Sequence, residues 1–164
     1  SENELVSVAH VADVEAGTGL GDVVAQARGG VPIRREPGAP PHSELDGVPT
    51  RGRVEYLSFG DLSTPDTLSE RPGVITRAGT DALERLEARP TPERFMEASS
   101  TFAADVGLLT PQLADVVEAV DSAGGRASMA MLGETVFALG TDLSEAGFEP
   151  EVTRIDPTGA TILE

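Results

Sequence analysis

Apolar positions recur along this chain at two periods, and the switches between them divide it into elements. Leu5, Ala9, Ala12 and Ala16 fall at helical spacing, with Val8 on the same broad face, which predicts a helix over Leu5–Ala16. The glycines that follow end it. Val23 to Arg28 has the length of one or two further turns, Gly29-Gly30 breaks the pattern, and "VPIRRE" (31–36) reads as a strand. "PGAPPHSELDGVPTRG" (37–52) is a loop rich in Pro and Gly that reads as a domain boundary. "RVEYLSF" (53–59) alternates like a strand, "DLSTPDTL" (61–68) reads as a loop, and a helix is expected from about Thr80 to Ala88.

Two further helices announce their own starts. Thr91-Pro92-Glu93 offers a capping hydroxyl, a proline in the first turn and an acid at the positive end of the dipole. Phe95, Ser99, Phe102 and Val106 line one face of that helix. Thr110-Pro111 repeats the signal, Leu113, Val116, Val117 and Val120 form an apolar stripe, and Gly124-Gly125 ends it. "ASMAML-GE-TVFAL" reads as two strands about a tight turn, "DLSEAGF" as a short helix or turn, and "EVTRID-PTG-ATIL" as strand, turn and strand. No internal repeat is visible. The order predicts an α+β fold, its second half a ferredoxin-like sandwich with helices on one face of an antiparallel sheet.

The 164 residues suit one domain, or one plus part of another. Charge changes the picture most. There are 28 acidic and 12 basic residues, a net charge of −16, and every basic residue is arginine. Such a surface repels nucleic acid and excludes that class of partner. The acids are scattered among periodic apolar residues rather than blocked, so the reading is a globular protein with an acidic coat suited to high salt. No apolar run is long enough to cross a bilayer and no secretory signal pattern is visible, which predicts a cytoplasmic protein without a membrane partner. Absent cysteine removes disulfides, a thiol nucleophile and thiolate metal sites. His10, in a helical pattern, reads as structural and His42, in the Pro-rich loop, as solvated; no metal ligand is expected from either.

Candidate chemistry centres on "GTGLGDVVAQARGG" (17–30). The spacing is not the dinucleotide fingerprint, it follows a helix rather than a strand, and it lacks the Lys-Ser/Thr of a Walker loop. A plain turn between helices fits the glycines. Asp22 adds to that reading: it opens a short helix, where free N–H groups favour its ionised form, and a carboxylate at a glycine bend can orient a hydroxyl or take its proton.

Ala9, Ala12, Glu15, Gly17, Gly19, Asp22, Gly29 and Gly30, in this order, resemble a segment of the GHMP family of small-molecule kinases. With "SFGDLST" and "GGRASMAMLGETVFAL", also in order, the resemblance runs along essentially the whole chain and is closest to the archaeal branch that phosphorylates pantoate for coenzyme A synthesis. It implies residues 1–50 as the end of an amino-terminal, ribosomal S5-like domain and 51–164 as the ferredoxin-like carboxy-terminal domain. It implies ATP and Mg²⁺ as cofactors, a homodimer among the assemblies the family forms, and Asp22 as the residue facing the acceptor hydroxyl. The family's ATP loop would lie upstream of Ser1, so the chain reads as the carboxy-terminal portion of such a kinase, inactive alone. Mevalonate, homoserine or a sugar are rival acceptors, and a binding domain without catalysis is the rival class.

The resemblance also assigns the remaining candidates. Gly19 and Gly21 would let backbone approach the substrate, and Gly124, Gly125 and Ala127 would match the small positions of a loop near the phosphates. Ser128 would match a further small position, on the substrate side; on spacing alone the same stretch is a hairpin with buried methionines. Pantoate carries a carboxylate, which a guanidinium fork binds well. Arg28 and Arg126 are the preferred candidates, ahead of Arg34 and Arg35 on the following strand. Ser63, Thr64 and Thr67 match a region near the acceptor, and otherwise form a polar loop.

Overall fold

The computed structural model describes residues 1–17, 21–60, 72–130 and 133–161. They form two units, Ser1–Arg51 with Ile155–Glu164, and Gly52–Arg154. The tail expected in the second domain therefore packs with the first.

In the first unit, α1 (Glu2–Ala16) starts at Ser1, whose hydroxyl accepts from the Glu4 N–H, and ends at Gly17 in the left-handed conformation. The helix matches the periodicity, but Val6 is its buried residue, while Leu5 and Val8 stand exposed. Val6 packs with Val24 of α2 (Asp22–Arg28) and with Ala39. β1 (Pro32–Arg34) pairs antiparallel with β2 (Leu45–Gly47), Ile33 opposite Asp46. The stretch read as loop thus contains a strand, which its Asp-Gly and proline content conceals. Alternation on β1 buries Ile33 and turns Pro32 and Arg34 to the other side.

Gly29-Gly30 does more than stop α2. The Gly30 N–H donates to the Asp156 carbonyl, and the Ala160 N–H to that of Gln26. The 156–159 turn therefore lies against the end of α2. Thr158 donates from backbone and hydroxyl to the Asp156 carboxylate, and these bonds hold its pKa below the ordinary value. Ala160 and Thr161 are not in a strand, and the rest of the expected closing strand lies outside the described residues.

The second unit runs β3 (Arg53–Ser58), α3 (Pro72–Ala88), α4 (Pro92–Asp105), α5 (Pro111–Ser122), β4 (Ser128–Ala130), β5 (Thr135–Leu139), α6 (Asp142–Glu145) and β6 (Glu151–Arg154). Its sheet order is β4-β5-β3-β6, antiparallel throughout, with Tyr56 opposite Phe137 and Glu151. This is an α+β fold with ferredoxin-like strand order. α3 begins eight residues before its expected start: the Thr76 and Thr80 hydroxyls donate back to carbonyls one turn earlier, and Ile75 and Ala78 join the core. Thr91 and Thr110 cap α4 and α5 as their sequences predict. The apolar stripe of α5 is buried on Val136, Ala138 and Leu143.

Candidate functional site

The first candidate site is built by two short elements. Val24 anchors α2 in the core, and this holds Asp22 at the helix start, exposed to solvent. Gly21, Asp22, Val24, Ala25, Pro32 and Arg34 surround a cavity of ≈ 220 Å³. The Arg34 guanidinium lies so close over Gly21 that a Cβ there would sit 2.2 Å from Nη1, and Nη1 donates to the Gly38 carbonyl at 3.3 Å. A carboxylate and a guanidinium thus face one small cavity: the first can take a proton, the second can bind an anion.

Arg34, not Arg28, is the arginine at Asp22. Arg28 turns to α1, where its guanidinium donates to Glu2 at 3.2 Å and to Asn3. The strand's period of two carried the signal, because Pro32 and Arg34 share the side opposite buried Ile33. Arg35, exposed on the far side, pairs with Glu44 at 2.6 Å. Gly19, Ser63, Thr64 and Thr67 lie outside the described residues. His10 is half-buried and His42 exposed. Among the described residues, no three His, Asp or Glu side chains gather as a metal site would require.

The second candidate segment, Gly124–Ser128, lies in the other unit. Gly124 has φ 87°, and the Gly124 and Gly125 N–H groups bond back to Asp121 and Val120, closing α5 as a Schellman cap. A Cβ on Gly125 would lie 2.8 Å from the Asp142 Cβ. That close approach lets Asp142 accept from the Arg126 N–H at 2.7 Å. The two glycines therefore have a packing reason of their own. Ala127 and Ser128 are buried, and the Ser128 hydroxyl has no hydrogen-bond partner.

Glu55 on β3, which the sequence did not single out, is fully buried. It accepts from the Ser144 N–H (2.9 Å) and hydroxyl (2.6 Å), and from Arg53 at 2.6 and 2.9 Å. Burial pushes its pKa up, but the Ser144 bonds and Arg53 outweigh that and hold it below the ordinary value. The bonds from Ser144 tie β3 to α6, and those from Arg53 stay within β3. Alternation within "RVEYLS" places Glu55 inward, a signal that an acid in a strand tends to mask.

Residues 81–148 match the family description "GHMP kinases C terminal". The chain is similar to pantoate kinase of Thermococcus kodakarensis (36% identity, 82% of this chain, 46% of that protein) and of Methanocaldococcus jannaschii (34%, 80% and 49%). It is similar to that of Methanospirillum hungatei at 32% identity over 99% of this chain and 56% of that protein. A solved structure titled "Phosphotransferase related to CoA biosynthesis pathway" superposes with TM-score 0.78 at 29% identity, over 96% of this chain and 55% of that one. The chain spans about half the length of the curated relatives it matches. Similarity in sequence along most of the chain, and in fold along nearly all of it, leads to one family: residues 81–148 are the carboxy-terminal domain of the GHMP kinases, and the chain as a whole is similar to kinases.

Proposed function

We propose that the protein containing this chain transfers the γ-phosphoryl group of ATP to the primary hydroxyl of pantoate, giving 4-phosphopantoate for coenzyme A synthesis. The observation that carries the reading is the cavity shared by Asp22 and Arg34, in a stretch of chain similar to three pantoate kinases. Asp22 orients the acceptor hydroxyl and takes its proton as the new O–P bond forms and ADP leaves. Arg34 binds the acceptor's carboxylate, a role its fork geometry suits. Gly21 leaves the room that the Arg34 guanidinium takes beside the cavity, and we assign the Gly124–Ser128 segment to the nucleotide. Arg28, whose guanidinium donates to Glu2 and Asn3, supports its own segment rather than touching substrate. Among the described residues no three His, Asp or Glu side chains gather, and the Mg²⁺ that accompanies ATP would be held by its phosphates with one or two carboxylates.

Residues 1–50 we assign to the end of the amino-terminal domain of a GHMP kinase and the remainder mainly to its carboxy-terminal domain. The acidic, lysine-free composition points to a salt-adapted enzyme; a cytoplasmic homodimer fits the family.

The test is ADP release by the whole protein in high salt with Mg-ATP and a panel of pantoate, mevalonate, homoserine and a hexose. Turnover confined to pantoate and reduced at least a hundredfold in Asp22→Asn is the expected outcome. Turnover on a different alcohol would keep the kinase and replace its acceptor. A folded protein that turns over none of them is a binding domain, and the kinase reading is lost.

A further inference from the structure

An apolar pocket in the second unit is lined by none of the residues given a part in phosphoryl transfer. It is bounded by α3, α4, β4 and β5 and has a volume of ≈ 380 Å³. Its wall carries Phe95, Phe102 and Phe137, three of the five phenylalanines in a chain that is 4% aromatic. All three are only half-buried, although the same unit buries Leu113, Val116, Val117 and Val120 of α5 and Val136 of β5 almost completely. Phe95 and Phe137 stand with ring centroids 6.1 Å apart and tilted by 41°. Among the described residues no charged side chain contributes to the lining, and Ser99 supplies the one side-chain oxygen.

We propose that this pocket binds a small, uncharged, largely apolar molecule bearing one hydroxyl or carbonyl group. Three observations select that class. The volume falls within the range of about 300–1,000 Å³ usual for small-molecule sites and far above an ordinary packing void. An ionised ligand would lose its hydration with no opposite charge to meet it, which excludes nucleotides, phosphate esters and carboxylates, and so separates this pocket from the proposed phosphoryl-transfer chemistry. Ser99 sits among the rings as a single polar contact, enough to orient a ligand whose body is hydrocarbon. The concave shape favours a compact molecule over a flat protein surface. The floor includes Met129 and Ala130, which continue β4 directly from Ser128, so a ligand here contacts the strand that carries the small-residue segment.

The experiment uses the full chain labelled with ¹³C at its methionine methyls, with 1-octanol, octanoate and toluene as probes. Octanol and toluene should shift the Met129 methyl resonance saturably and raise the unfolding temperature, because they bind the folded state alone. Octanoate should bind at least about tenfold more weakly than octanol. Ala82→Phe, which fills the pocket from α3, should abolish both effects. Should that variant fail to fold, Ser99→Ala decides: octanol should weaken by about tenfold and toluene should not. An unsaturable shift, equal binding of octanoate and octanol, or an unchanged response in Ala82→Phe would overturn the proposal. So would nuclear Overhauser contacts to Met129, without probe, from another segment of this chain or from a second copy. The pocket would then be an internal or subunit interface.

Discussion

At Gly29 a single methyl group would lie 2.4 Å from the Gly159 nitrogen and 2.7 Å from the Asp156 carbonyl oxygen, and the backbone is at φ 66°. Both the space and the dihedral require glycine. Gly29→Ala should therefore destabilise the first unit by more than about 1 kcal/mol, read as a lower midpoint in urea unfolding. Residues of this kind were legible as breaks in a pattern, but not for the reason that fixes them. Gly29 was readable as a helix stop, whereas its neighbour in space, Gly159, is 130 positions away in the chain and no local rule connects them. The same limit applies to the arginines. Choosing Arg28 or Arg126 as the anion binder needed the knowledge that Arg28 meets Glu2 and Asn3, contacts 26 and 25 residues apart. Asp22 was readable because its context, a glycine before it and a helix after it, is contiguous.

At the scale of elements, Glu55 joins β3 to α6 by bonds that only the ionised carboxylate makes in full. Its folded pKa is held below the ordinary 4.5, so its contribution is fully present above that value and is lost as pH falls through the depressed one. Unfolding midpoints should thus fall below about pH 4.5, and Glu55→Gln should flatten that part of the profile while costing on the order of 1–3 kcal/mol at neutral pH. Thr110 offers a simpler test. Its hydroxyl accepts from the Leu113 N–H at 3.4 Å, and Thr110→Ala should cost about 1 kcal/mol of stability in thermal or urea unfolding. The helices beginning at Thr91 and Thr110 were readable because cap, proline and apolar stripe agree at each. β2 was not, since three residues held by pairing to β1 have too little pattern of their own. The early start of α3 was hidden by Val74, Ile75 and Thr76, poor helix formers locally that tertiary packing and back-bonded hydroxyls override.

For the whole molecule the acidic coat sets the conditions. A net charge of −16 repels itself at low ionic strength, and the ion pairs formed by arginine are too few to offset it. Adding salt from about 0.1 M to 1 M shortens the screening length from about 10 Å to 3 Å. The unfolding temperature should accordingly rise with NaCl over that range, followed by circular dichroism; a flat or falling curve would refute a salt-adapted surface. The chain path carries a different consequence, for synthesis. The turn at 156–159 closes the first unit, yet more than a hundred residues of the second unit lie between it and the α2 that it meets. On the ribosome the 52–154 sheet can complete while the first 51 residues still await their last piece. The unit that starts first along this stretch is thus the last to be finished, and during that interval its short helices and hairpin rest on the small core of Val6, Val24 and Ala39.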